Sequence, residues 1–200
     1  MSKTIKKCFY KNLTFEKILQ AHFRAKKNKT YKIEIINFEL NLENNLINLI
    51  NSIKNKTYKI GAYHAFKIYE PKERVIKALP YKDRIVHQWY VEEFIKPYIL
   101  KRFIKNSYAC LDEKGTHKAV IKVQQNMRDF YKKNGEFWIL KCDIKKFFYN
   151  INPNILFNIL KKYISDKELL NFTNLLIFQN REPDEKVGIP IRKLYQSIFC

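Results

Sequence analysis

Phe137-Trp-Ile-Leu-Lys-Cys-Asp143-Ile-Lys-Lys-Phe-Phe148-Tyr-Asn-Ile151 is the stretch around which the remainder of this chain is read. Its first half has the pattern of a strand, with successive side chains on opposite faces. Trp138, Leu140, Cys142 and Ile144 fall on one side, and Phe137, Ile139, Lys141 and Asp143 on the other. Asp143 therefore ends a hydrophobic strand on its less apolar face. A carboxylate in that position needs water, hydrogen-bond donors or a cation. The residues alone leave two readings open: a strand-end carboxylate capping a turn, or a metal ligand.

The run Leu140 to Ile151 resembles the first catalytic motif of bacterial reverse transcriptases, those of group II introns, retrons and diversity-generating retroelements. The resemblance implies that Asp143, with the backbone carbonyl of Ile144, helps to hold two magnesium ions. It also implies that Phe148 packs under the sugar of the incoming nucleotide and excludes a 2′-hydroxyl. Magnesium suits such a site because hard cations prefer oxygen ligands, and an ion pair can stabilise both the attacking and the leaving oxygen. One aspartate is insufficient for a two-ion site.

Composition agrees with a polyanionic partner, either nucleic acid or an acidic membrane surface. The 200 residues carry a formal charge of +20, 46% are hydrophobic and 15% aromatic, which excludes a disordered acidic or low-complexity chain. Lysines interleave with Tyr and Phe, a mixture suited to neutralising phosphates while stacking bases. An AT-rich codon bias also enriches Lys, Asn and Ile, but it accounts for the lysines better than for the shortage of acid. No apolar run is long enough to span a bilayer and no signal-peptide pattern opens the chain, so a cytoplasmic protein without a membrane partner is expected. Cys8, Cys110, Cys142 and Cys200 lie far apart and without metal-type spacing, and read as reduced thiols.

Upstream, Phe15, Ile18, Leu19, His22 and Phe23 recur at helical spacing behind Thr14 as cap, with His22 a core or boundary histidine. After a basic loop from Lys26 to Lys32, a second amphipathic helix is predicted over Phe38 to Ile53, with Leu42, Leu46, Leu49, Ile50 and Ile53 inward. Two alternating runs, His64 to Tyr69 and Arg74 to Leu79, flank Glu70-Pro71-Lys72-Glu73 and predict an antiparallel hairpin. The run Arg74 to Val86 resembles the fingers motif of the same family, which implies that Arg74, Arg84 and Lys82 hold the nucleotide triphosphate. Guanidinium groups bond phosphate oxygens bidentately, hence that role. The residues alone allow an exposed hairpin arginine and a surface Asp83–Arg84 pair instead.

A helix follows Pro80 to about Tyr98, with Ile85, Val86, Trp89, Tyr90 and Phe94 inward and His87 at its edge. Asn106 to Ala119 resembles the family's second block, a loop entering a helix along template and primer; Lys114, His117 and Lys118 receive no role beyond backbone contact. Thr116 is placed to cap that helix, with Val120, Val123 and Met127 inward. Asn152-Pro153 opens another helix, carrying Ile155, Leu156, Ile159, Leu160 and Tyr163 on one face, and Ser165-Asp-Lys-Glu168 reads as a capping box for a last helix through Leu176.

Together these features predict an α+β fold: right-hand polymerase fingers and partial palm, helix-rich, with a fingers hairpin and palm strands of a split βαβ unit. The expected organisation is a helical extension over 1–58, fingers over 59–135 and partial palm over 136–200. The resemblance implies RNA-directed DNA polymerase chemistry, with RNA template, DNA or RNA primer and deoxynucleoside triphosphates as partners. Composition alone equally suits a non-catalytic basic fragment that binds RNA or DNA.

The fourth block, Gly188-Ile-Pro190-Ile191, departs from the family pattern. Gly-Asn-x-Thr-Ser-Gln is expected next and then Tyr-x-Asp-Asp; the chain instead reads Arg192-Lys-Leu-Tyr-Gln-Ser-Ile-Phe-Cys200. One synonymous codon set for Arg192 to Cys200, read one base later, spells Gly-Asn-Tyr-Thr-Ser-Gln. The expectation is a reverse transcriptase truncated before Tyr-x-Asp-Asp, by a single-base insertion after the Ile191 codon or equally by a natural stop, a deliberate cut or programmed frameshifting. For the insertion, sequencing the DNA from the Gly188 codon downstream should show another frame continuing through Gly-Asn-x-Thr-Ser-Gln to Tyr-x-Asp-Asp; three frames without it would overturn that reading.

Overall fold

Helices dominate the computed structural model, which describes residues 5–69, 73–100, 103–109, 111, 113–145 and 147–179, the side chains of 68, 74, 76, 148 and 149 excepted. A short turn of helix, α1 (Phe9–Asn12), leads to α2 (Phe15–Lys26), where the Thr14 side chain accepts from Lys17 N as its position requires. Ile18, Ala21 and His22 are buried, while Phe23 lies off the stripe and is half exposed. The helix expected over Phe38 to Ile53 is two helices, α3 (Ile33–Glu39) and α4 (Leu42–Lys54). The break at Leu40-Asn41 is bridged by Asn45 Nδ2, which donates to Phe38 O at 2.9 Å and replaces a backbone rung. Leu46, Leu49, Ile50 and Ile53 point inward as expected, and Leu42 packs against the same core.

The hairpin is present. Strands β1 (His64–Ile68) and β2 (Arg74–Ala78) pair antiparallel with His64 opposite Ala78 and Ile68 opposite Arg74; the turn residues 70–72 lie outside the described residues. Leu79, just past β2, is buried and leads into a continuous helical rod: α5 (Tyr81–Tyr90), a π-helical turn (Val91–Ile95) and α6 (Lys96–Ile99). Pro80 precedes its first turn, where a missing N–H costs nothing. Ile85, Val86, Trp89, Tyr90 and Phe94 are buried as the spacing predicts. The π turn adds Val91 and Ile95 to that set, since widening one turn rotates two further positions inward. His87 is buried rather than at the edge, because α2 and the later helices cover this rod on more than one side.

Trp89 is the centre of an aromatic cluster with Phe9, Phe94 and Phe172, at ring separations of 5.2–5.8 Å, and its indole Nε1 donates to Asn12 O at 2.8 Å. Phe172 belongs to α10 (Lys167–Phe178), so the far end of the described chain packs on its beginning. A polar clasp fixes the same meeting. The Asp166 carboxylate caps α10 through Oδ1, accepting from Glu168 N and Leu169 N, while Oδ2 accepts from Cys8 N at 2.7 Å and Phe9 N at 3.0 Å. Ile5 adds a parallel bridge, donating to Tyr163 O and accepting from Ser165 N and Asp166 N. The α10 cap is thus Asp166, not Ser165, and its carboxylate has acceptors for two helix starts.

Two further expectations fail. Residues 137–144 form no strand, and Trp138 and Leu140 are almost wholly exposed. A strand needs a neighbour for its N–H and C=O groups, and among the described residues none runs alongside. The palm strands of a split βαβ unit are thus not among the described elements, and the sheet is the two-stranded hairpin. Helix α7 (Thr116–Asn134) exists, but Gly115 is its N-cap and Thr116 its first residue. Val120, Val123 and Met127 are exposed, and α7 buries no residue. Downstream, α8 (Phe147–Asn150) is a single turn; α9 (Pro153–Lys161) starts as predicted, with Asn152 accepting from Asn154 N and Ile155 N. On α9, Leu156 and Leu160 pack on the core while Ile155 and Ile159 stay outside. Cys8 and Cys142 are free thiols, the first buried and the second exposed; Cys110 and Cys200 lie outside the described residues.

Burial raises the Asp166 pKa, but the N–H groups of Phe9, Leu169, Cys8 and Glu168 together outweigh it and leave the value below the ordinary one. Its stabilising share is therefore present above about pH 3.9 and is lost as pH falls through the folded-state value. Asp166→Ala removes caps from two helices, each worth about 1 kcal/mol, and should lower the melting temperature by about 4–8 °C at pH 7. Lys167→Ala at the exposed neighbour should not. A deficit that persists undiminished well below the folded pKa would show that the carboxylate charge is not what holds the clasp.

Candidate functional site

The fingers residues start from a hairpin and end in the rod. Arg74 opens β2 opposite Ile68, and its side chain lies outside the described residues. Lys82, in the first turn of α5, is exposed. Asp83 and Arg84 follow it and do not pair with each other. Asp83 is fully buried and accepts from Tyr58 Oη at 2.7 Å and Gly61 N at 2.9 Å. Desolvation raises its pKa, against the opposing pull of those two hydrogen bonds and of Lys82. Gly61 is required there, since a Cβ would lie 2.7 Å from Pro80 Cγ and 3.2 Å from Asp83 Oδ2. This closure anchors the segment before the hairpin to the helix after it.

Arg84 turns the other way. Its guanidinium pairs with Glu34 of α3 and lies 5.1 Å from the centre of the Tyr81 ring, with the side chain 9% exposed. Among the described residues Nε has no hydrogen-bond partner. A phosphate-binding role would therefore require Arg84 to leave Glu34 or to share it. Beneath it, His22 is wholly buried between Tyr81 Oη, 2.8 Å from Nδ1, and Glu39 Oε1, 3.1 Å from Nε2; Lys26 completes the Glu39 pair. Burial holds the His22 pKa below its ordinary value despite Glu39, so the neutral imidazole accepts from Tyr81 and donates to Glu39. The core reading of His22 holds. Its polar partners were not legible, because Glu39 and Tyr81 come from helices whose packing on α2 no local pattern reveals.

The palm residues are arranged differently. Asp143 and Ile144 lie in an exposed irregular segment. Phe148 is in α8, and its side chain lies outside the described residues. Among the described residues no three His, Cys, Asp or Glu side chains converge to hold a metal ion. A lone exposed carboxylate does not fit a two-ion magnesium site, which needs further oxygen ligands held in fixed geometry. The block at 188–191 lies outside the described residues.

Helix α7 carries a basic face. Lys118, Lys122, Arg128, Lys132 and Lys133 are all exposed, and Asp129 is the acid among them. Lys114 has a structural task instead: Nζ donates to Lys105 O and Ser107 O at 2.7 and 2.9 Å and sits over the Tyr108 ring, closing the loop before α7. His117 stays exposed in the first turn. No described helix is long and apolar enough to cross a membrane.

Comparison with models of known protein families gives no match, and no curated protein is similar enough to count as a relative. The assignment of chemistry thus stands on the residues themselves.

A lone carboxylate should bind magnesium too weakly to stabilise the fold. Millimolar MgCl₂ should leave the melting temperature unchanged, and Asp143→Asn should melt within about 0.5 kcal/mol of the parent. A magnesium-dependent rise that disappears in Asp143→Asn would reveal a metal site at this position.

Proposed function

We propose that the chain is the fingers and first palm segment of a bacterial retroelement RNA-directed DNA polymerase. The observation that carries the reading is the set of four ordered blocks: Arg74 to Val86, Asn106 to Ala119, Leu140 to Ile151 and Lys186 to Ile191. The paired hairpin leading through Pro80 into a buried helix is compatible with the fingers motif. In this reading Asp143 and the Ile144 carbonyl are metal ligands, Phe148 gates the sugar, and Arg74, Arg84 and Lys82 meet the triphosphate. The partners are an RNA template, a primer and deoxynucleoside triphosphates.

The chain by itself binds nucleic acid without extending a primer. The exposure of Asp143, with no partner carboxylate among the described residues, favours this non-catalytic form. The charge of +20 and the exposed lysine face of α7 supply affinity for a phosphate backbone.

Binding of single-stranded RNA should be largely independent of sequence and steeply salt-dependent. About six phosphate contacts on a single strand predict a loss on the order of 300-fold between 50 and 200 mM salt. Anisotropy titrations across that range test this; salt-independent binding, or none, would remove the nucleic-acid reading. Primer extension by the purified chain should be undetectable, and measurable extension would refute the non-catalytic form.

A further inference from the structure

A second polar feature lies apart from Arg84 and Asp143. Asn45, Asn48 and Ser52 share the outer face of α4, and the chain leaving that helix folds back against it, with Thr57 N and Tyr58 N both donating to Ser52 O. Lys59 then stands on one side of the resulting pocket and Lys82, from the first turn of α5, on another. Its floor is Phe38, Leu49 and the buried Tyr58 ring.

The lining has a definite sign. It contains two ammonium groups and no carboxylate, and neither lysine is in an ion pair among the described residues. Asn48 contributes amide N–H donors that no described group engages, and Asn45 keeps one after bonding Phe38 O. The Ser52 and Thr57 hydroxyls both donate to backbone carbonyls, so their oxygens face a ligand as acceptors. Cationic and amide donors beside hydroxyl acceptors and an aromatic floor match a phosphate joined to a sugar. We propose that this pocket binds the phosphate of a nucleotide unit, in a single-stranded nucleic acid rather than free in solution. The inference rests on the nucleic-acid reading above and adds a specific place to it. Lys82 contributes here from the first turn of α5.

Asn48→Asp places a carboxylate in the pocket, and Asn51→Asp makes the same charge change on the neighbouring face of α4; both positions are exposed. Titrating labelled single-stranded RNA, Asn48→Asp should bind at least about tenfold more weakly than Asn51→Asp, and Lys59→Ala should lower the log–log salt slope by about 0.7. Equal affinities of the two Asp variants, with RNA still bound, would overturn the pocket while leaving the proposed function standing. Amide resonances of Asn48 and Lys59, followed during titration with inorganic phosphate and with ATP, separate the sources. Shifts with ATP in a protein that does not bind RNA would overturn both the strand-bound phosphate and the nucleic-acid reading. Thermal unfolding of each variant checks that the comparison is between folded proteins, and Lys59→Ala carries the test alone if Asn48→Asp does not fold.

Discussion

Burial of one helical rod, Tyr81 to Ile95, is the constraint to which the rest of the structure answers. Trp89, Val86, Ile85, Val91 and Phe94 are wholly excluded from solvent, and a rod apolar on most sides must be covered on most sides. Helix α2 lies along it, α3 meets its first turn through Glu34 and Arg84, and Phe9 and Phe172 close over Trp89 from opposite ends of the described chain. Each fully buried aromatic or branched side chain contributes about 1.5–3 kcal/mol, so this surface outweighs any individual polar contact.

The polar contacts do something else, which is to choose one arrangement among the many that bury the rod. Asp83 is costly in the interior unless Tyr58 and Gly61 come to it, and Asp166 serves two helix starts far apart in sequence. Wrong registers would leave such groups unpaired. His22 works in the same way, joining α2 to α3 through Glu39 and to α5 through Tyr81.

Against this core, residues 116–147 stand out for what they leave uncovered. Val120, Val123, Met127, Phe130 and Tyr131 form an apolar stripe on α7 with no buried member, and Trp138, Leu140 and Ile144 are exposed after it. The proposed metal ligands, Asp143 and Ile144, fall in this region, and the basic face of α7 lies opposite its apolar stripe. Lys82, Arg84 and the pocket residues of α4, by contrast, stand on helices packed into the core.

Local pattern alone determined a good deal: the Thr14 and Asn152 caps, the stripe from Ile85 to Phe94, the presence of an antiparallel hairpin and the excess of positive charge all depend on residues close in sequence. What failed or went unseen depends on residues far apart. The alternation from Phe137 to Ile144 is a genuine strand pattern, yet a strand is a property of two segments, and no described segment pairs with it. Met127 shares an apolar stripe for the same local reason as Phe94, but only packing decides which stripe is covered. His87 and Asp83 became interior, Arg84 met Glu34, and Asp166 rather than Ser165 became the cap because helices distant in sequence arrived beside them. Hydrophobic period identifies a face; the partner that buries it, and the polar groups satisfied on the way, belong to tertiary structure alone.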